Sequence, residues 1–368
     1  MAVQCQNFRF FVRARAHAHI LYFYTVAEKC YSIGMEIETL LKNTSRSLYL
    51  SVQALPKKIR PAFGIAYLLC RYADTIADTE LLPAKHRVHW IEHFPQLIEE
   101  QNPEEEKQLV GEISGNTDNP HEAELIKHLP ACLQNYNQVN DLQKPFILEV
   151  VRNVCEGMKI DLSYFPHENF TAPKAFANDE DLQHYCRLMG GKPGRFWSQL
   201  IYHATPINME KEKFYQLGER VGDALQIVNI LRDLPKDLRL GRCYFPQSDL
   251  DNAHLSAEDL LKAENSARFG PIKQKWISWG KQNLVEGKKY YSLLPKTDPR
   301  IRASVAWPML WTADTFIKLA QEPELLNSQK RVKIPRSTIY HTLFLTPLVL
   351  ASNHLFSAWL DRKLAKIR

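Results

Sequence analysis

Glycine is scarce in this 368-residue chain, 14 against 21 prolines, and no Asn-Gly or Asp-Gly pair is present to turn a hairpin. Alternating strand patterns are missing too, which excludes an ordinary sheet protein. The seven cysteines are scattered and odd in number, with no C-x-x-C. That pattern reads as a reduced intracellular protein whose thiols are small core residues. No DNA- or RNA-reading motif occurs. A net charge of +6 suits an anionic ligand or a membrane surface but is too modest and too dispersed for nucleic acid.

Acidic residues are also missing from the start of the chain: the first is Glu28, while Arg9, Arg13 and Arg15 alternate with aromatics and alanines ahead of "ILYFYTVA". An Arg-rich, acid-free start resembles a targeting segment, but the apolar run is short and no small-residue cleavage site follows. Residues 1–34 therefore read as a poorly ordered extension or as chain upstream of a true start at Met35. His17 and His19 are isolated and carry no assigned role.

What the chain does have is helical period. Apolar content of 45% with 24% charged residues allows a large buried core, and the length allows one domain or two. Apolar residues recur at three and four over 35–55, 61–79, 121–139, 145–162, 179–203, 210–234, 256–265, 271–291 and 300–320, and prolines such as Pro56, Pro83, Pro120, Pro206 and Pro295 fall between them. Residues 35–330 thus read as one all-α domain. Residues 331–368 are set apart, because Ile339 to Leu360 contains no Lys, Arg, Asp or Glu and is flanked by basic residues. That length fits a membrane span. Pro347 and the Ser352-Asn353-His354 patch oppose it, so a core helix or a helix lying in the membrane interface competes.

Two polar stripes carry the chemistry. In "AYLLCRYADTIADTE", Tyr67, Arg71, Asp74 and Asp78 share one helical face. Like charges four apart repel, by roughly 0.2–0.5 kcal/mol on an exposed helix. A solvated helix end explains the pair if it stands alone. In "VGDALQIVNILRDLPKDLRLGRCYFP", Gln226, Asn229, Asp233 and Asp237 repeat that logic with apolar Ala224, Leu225, Ile227, Val228, Ile230 and Leu231 between them, Arg232 adjacent and Arg242 and Tyr244 following. Unpartnered buried carboxylates are costly. Two such stripes offset one another if they face shared cations, and carboxylate oxygens suit Mg²⁺ bridging to phosphates. Pro235 predicts a bend or end of the second helix near Leu234.

Between the stripes lies "DLQHYCRLMGGKPGRFWSQL". Its glycines follow a helical pattern with no strand before them, so this is no dinucleotide fingerprint. Taken alone, Tyr185 reads as a core tyrosine with a satisfied hydroxyl.

In order and spacing, "TSRSLYLSVQALPKKIRPAFGIAYLLCRYADTIADT", "EGMKIDL", "YCRLMGGKPGRFW" and "LQIVNILRDLPKDLRLGRCYFP" resemble the squalene and phytoene synthases, over about Met35 to Trp311. The resemblance implies an all-α isoprenoid-synthase bundle around an apolar cavity. It implies that Asp74, Asp78, Asp233 and Asp237 hold Mg²⁺ (or Mn²⁺) with Asn229 in support. Arg46, Arg71, Arg232 and Arg242 match diphosphate-gripping positions, Ser45 and Tyr67 match polar lining positions, and Tyr185 matches the proposed base. Departures lie at Met189 to Gly194 and at Ala77, where eukaryotic relatives carry a third acid.

The expectation is a squalene synthase: a monomer at the cytoplasmic face of a membrane, joining two farnesyl diphosphates through presqualene diphosphate, with NADPH as reductant. Phytoene, dehydrosqualene and presqualene diphosphate synthases are the alternatives within the family. A non-catalytic, membrane-associated lipid binder is the alternative outside it.

Overall fold

Apolar residues at three- and four-residue spacing demand helices that bury one face against others, and the computed structural model consists of them. It describes residues 35–45, 48–79, 81–116, 120–165, 172–327 and 332–367. In chain order the helices are α1 (Met35–Ser45), α2 (Leu48–Ala54), α3 (Arg60–Asp78), α4 (Ala84–Glu100), α5 (Pro103–Gly115), α6 (Pro120–Lys127), α7 (Leu129–Asn137) and α8 (Lys144–Tyr164). After strand β1 (Lys174–Phe176) come α9 (Asp179–Cys186), a π-helical turn (Arg187–Gly191), α10 (Lys192–Ala204) and α11 (Lys211–Arg239). Strand β2 (Arg242–Pro246) leads to α12 (Gln247–Asn252), α13 (Ser266–Leu293), α14 (Pro299–Gln321), α15 (Arg336–Ala351) and α16 (Asn353–Leu364).

The 29-residue α11 is the axis. It packs against α13, α10, α14 and the π turn, while α3 and α5's neighbour α4 pack on α8. One contiguous core runs from Ile37 to Ile367. The closest approach is backbone on backbone, where a Cβ on Gly222 would collide with the Gly190 carbonyl. Glycine at both positions lets the π turn lie directly on α11. Arg187 then clamps the two together, with Nη2 2.7 Å from Asp223 Oδ2.

Several expectations are corrected. The apolar stretch 35–55 is two helices, 256–265 forms short 3₁₀ turns (Glu258–Leu261 and Ala263–Asn265), and α4 and α5 occupy a region without a clear apolar period. Pro235 does not end its helix, which continues to Arg239. The bond lost to the Leu231 carbonyl costs about 3 kcal/mol, and burial of Leu231, Leu234, Pro235 and Leu238 offsets it. A two-stranded parallel pairing, Lys174 with Arg242 and Ala175 with Cys243, interrupts the all-helical pattern.

The apolar tail is two helices rather than one. Ser352 breaks the run and caps α16 by accepting from the Leu355 N–H. No helix among the described residues is long and apolar enough to cross a membrane. The tail is seated instead on the bundle, where Tyr291 stacks on Phe356 at 3.6 Å and Trp307 Nε1 donates to Thr346 Oγ1. The five described cysteines, Cys70, Cys132, Cys155, Cys186 and Cys243, are free. Residues 1–34, including His17 and His19, lie outside the described residues.

Candidate active site

α3 keeps its apolar face in the core through Ala62, Phe63, Leu68, Leu69, Ala73 and Ile76. That fixes the opposite stripe of Tyr67, Arg71, Asp74 and Asp78. Tyr67 donates its hydroxyl to the Thr44 carbonyl at 2.9 Å, tying the stripe to the end of α1. The side chain of Ser45, and all of Arg46, lie outside the described residues. Asp78 is exposed at the helix end.

On α11, burial of Ile227, Val228, Ile230, Leu231 and Leu234 turns Asn229, Asp233 and Asp237 to a common half-buried side. Within each stripe an arginine is taken up by its neighbour. Arg71 pairs with Asp74, and Arg232 Nη2 lies 2.6 Å from Asp233 Oδ2. In this structure the partner of Arg71 is Asp74, one turn along.

The two stripes meet at Arg242. β2 carries this residue across so that its Nη2 stands 3.5 Å from Asp78 Oδ1. Its charge also reaches the carboxyls of Asp237 and Asp161. Asp161, on α8, went unassigned in the sequence although it sits in "EGMKIDL". Its Oδ2 accepts from the Tyr185 hydroxyl at 2.8 Å and from the Tyr244 hydroxyl at 3.3 Å, while its Oδ1 is buried without a hydrogen-bond partner. Tyr185 and Tyr244 stack at 4.9 Å and 18°, and Phe176 closes on both edge-on. The result is an aromatic box around one carboxyl.

Electrostatically this corner holds more negative charge than its cations answer. Burial pushes the Asp161 carboxyl up to about 7, with Asp78 adding to the effect and Arg242 opposing it. Burial also lifts Asp237 to about 7, reinforced by Asp233 and Asp161 against Lys236 and Arg242. The Tyr185 and Tyr244 hydroxyls are held protonated, first by burial and then by the Asp161 charge. Tyr185 is thus a proton donor to Asp161 and not a free phenolate. Among the described residues, no three His, Cys, Asp or Glu side chains already share one metal-binding position. Even so, the acidic surplus and the orphaned Asp161 Oδ1 fit a site completed by oxygen-seeking cations.

The raised carboxyls set a pH dependence for the metal-free protein. Between about pH 4 and pH 7 the folded chain keeps protons on Asp161 and Asp237 that the unfolded chain has released. Stability should therefore fall as pH rises through this window and level off above about pH 7. Thermal melts in EDTA at stepped pH check this, and Asp237→Asn should flatten the slope. A melting temperature that rises steadily from pH 5 to pH 7 would contradict it.

The family model for squalene/phytoene synthase matches residues 41–338. A bifunctional lycopene cyclase/phytoene synthase of Phaeosphaeria nodorum is 27% identical over 241 residues, 64% of this chain and 38% of that one. A phytoene synthase of Arthrospira platensis is 24% identical over 276 residues, 73% of this chain and 76% of its own length. The chain spans less than half the length of the bifunctional fungal relatives it matches. In structure, the ligand complex of TcSQS superposes with a TM-score of 0.71 at 16% identity, covering 90% of this chain and 96% of the other.

Proposed function

This chain belongs to the squalene/phytoene synthase family of head-to-head isoprenoid prenyltransferases, and from that premise we propose that it joins two prenyl diphosphates, with farnesyl diphosphate as substrate and squalene as product. The observation that carries the reading is the convergence on Arg242. Its guanidinium is ion-paired to Asp78 of the first stripe, and its charge also acts on the carboxyl of Asp237 in the second, so one cation answers acids of both stripes.

Asp74, Asp78, Asn229, Asp233 and Asp237 would hold Mg²⁺, or Mn²⁺ in its place. When bound, the metal supplies positive charge that neutralises the diphosphates and stabilises a departing one. Arg71, Arg232 and Arg242 add fixed charge at the same end, and Tyr67, tied to the Thr44 carbonyl, borders it. Charge placed in advance where a leaving group develops negative charge is among the strongest catalytic effects a protein has.

The aromatic box serves the other end of the reaction. The electron-rich rings of Tyr185 and Tyr244 would favour an allylic cation brought against this box without reacting with it. Coupling to a cyclopropyl intermediate releases one proton from carbon. Tyr185 Oη can take that proton as its own hydroxyl proton passes to Asp161 Oδ2, 2.8 Å away, leaving a neutral tyrosine and a neutral aspartic acid. The base is then the pair, with Tyr185 as conduit and Asp161 as the terminal acceptor.

The relatives named phytoene synthase favour a second reading, coupling of a longer prenyl diphosphate with no reductant. One assay separates the two. Purified protein is incubated with Mg²⁺ and either farnesyl or geranylgeranyl diphosphate, with and without NADPH, and the extracted hydrocarbons are identified. Squalene formed only with farnesyl diphosphate and NADPH is the expected result. Phytoene from geranylgeranyl diphosphate without NADPH would replace the first reading with the second.

A further inference from the structure

α4 turns Trp90, Ile91, Phe94, Leu97 and Ile98 into the core, and the residue that opens this buried face is a charged one, Arg87. Only 7% of it is exposed. The helical period asks for another apolar side chain at this position, and a buried guanidinium is costly unless its charge and donors are engaged. Arg87 Nη1 donates to the Ala77 carbonyl of α3 at 2.9 Å. The bond reaches back across a short link, because only residues 79–83 separate the two helices. The Arg87 N–H bonds to the Pro83 carbonyl at 3.1 Å, which sets the residue in the first turn of α4.

Ala77 directly precedes Asp78 and belongs to the last turn of α3. The final four carbonyls of a helix find no partner within it and depend on groups from outside. Here side chains supply them: Thr79 Oγ1 donates to the Thr75 carbonyl at 2.7 Å, and Arg87 to that of Ala77. A cation at this end also answers the negative pole of the helix dipole. The turn so held is the one that carries the first acidic stripe. Asp74 and Asp78 lie one turn apart, and Asp78 is exposed at the helix end, where turns fray most readily. Arg71 and Arg242 act on the two carboxylates themselves. Arg87 acts on the backbone that spaces them.

We propose that Arg87 is a positioning residue for the metal–diphosphate site, fixing the last turn of α3 so that Asp74 and Asp78 offer their carboxylates as one pair. This role rests on the assignment of both aspartates to Mg²⁺ made above. Arg87 meets neither metal nor substrate in it, and its effect falls on the affinity for the cation more than on the chemistry that follows.

Metal binding tests the proposal apart from turnover. Mn²⁺ is titrated into the full chain with inorganic diphosphate present, and free Mn²⁺ is read by electron paramagnetic resonance. Arg87→Met keeps most of the bulk and loses the donors. It should weaken Mn²⁺ binding by roughly tenfold, the weight of one hydrogen bond from a charged donor. The Mg²⁺ concentration for half-maximal turnover should rise by a similar factor, while kcat at saturating Mg²⁺ stays within about twofold of the parent. Arg87→Lys, which keeps the charge and one donor, should recover most of the loss. Hydrogen exchange should quicken in residues 74–79 of the Met variant and stay unchanged along α11. Mn²⁺ binding equal to the parent's in Arg87→Met overturns the proposal. So does faster exchange throughout the bundle, which would make Arg87 a general support of the core. If Arg87→Met does not fold, Arg87→Gln and Arg87→Lys take its place, and parent-like metal affinity in Arg87→Gln overturns the proposal equally. A parent chain that binds no Mn²⁺ with diphosphate is a separate outcome: it removes the metal assignment of the stripes, and the role of Arg87 with it.

Discussion

Asp233→Asn is expected to remove turnover, by at least about 10³-fold in kcat, and to leave the fold intact. The size follows from position. Asp233 sits on the half-buried side of α11 beside Asp237, whose carboxyl its charge helps to raise. Loss of one preorganised electrostatic contact at a developing charge typically costs about 10²–10³-fold, and here the loss would also weaken the hold on the proposed Mg²⁺. Stability moves little, because Asn keeps the shape and relieves the repulsion on Asp237, while the ion pair it forfeits with Arg232 is part-exposed and worth roughly 0–1 kcal/mol. Two measurements check the expectation: steady-state hydrocarbon formation, and the rise in melting temperature produced by Mg²⁺ with inorganic diphosphate, which the variant should lose. A variant that turns over normally would refute the assignment of this stripe. Asp74→Asn should behave alike, since its stripe meets the same charge through Asp78 and Arg242.

Asp161→Asn should lower kcat by about 10²–10³-fold, within the range for loss of a positioned proton acceptor, while leaving Mg²⁺-dependent diphosphate binding in place. The amide oxygen can still accept from the Tyr185 hydroxyl but cannot end a transfer by becoming a neutral acid. Tyr185→Phe breaks the same chain at its other link and should cost a similar factor. If proton and conduit form one unit, the double variant is scarcely worse than either single one, as effects within a unit do not add. Two losses that multiply in the double variant would show that Tyr185 acts without Asp161. The acidic Asp161 also contacts Tyr244, so Tyr244→Phe serves as the control in which one hydrogen bond is lost and the relay is kept.

The bundle was legible because most of its helices carry their period locally. Asp74–Asp78 and Asn229–Asp233–Asp237 were legible for the same reason: a polar stripe on an apolar helix shows itself in adjacent turns. Asp161 was not. It is a single acid with no like partner one turn away, and its meaning lies in hydroxyls 24 and 83 residues distant. The pairing of Arg71 with Asp74 and of Arg232 with Asp233 depends on rotamers, which spacing does not specify. At Pro235 the helix does not end, because a local break is outweighed by burial along the whole of α11. The outer face of α15 was obscured by its own uniformity, since an unbroken apolar run does not reveal which side the bundle will cover.

The short β1–β2 ribbon has a consequence for the order of assembly. Its register joins Lys174 to Arg242 across 68 residues, and those residues include α9, α10 and α11. Closing so long a loop for so few hydrogen bonds is entropically unfavourable until the intervening helices have packed. The ribbon is therefore among the late pieces to close. Arg242, the residue on which the two acidic stripes converge, rides on it. During synthesis and refolding the chain passes through a state with a finished helical frame and an unfinished site, and competence to bind arrives only with the last and least local contacts.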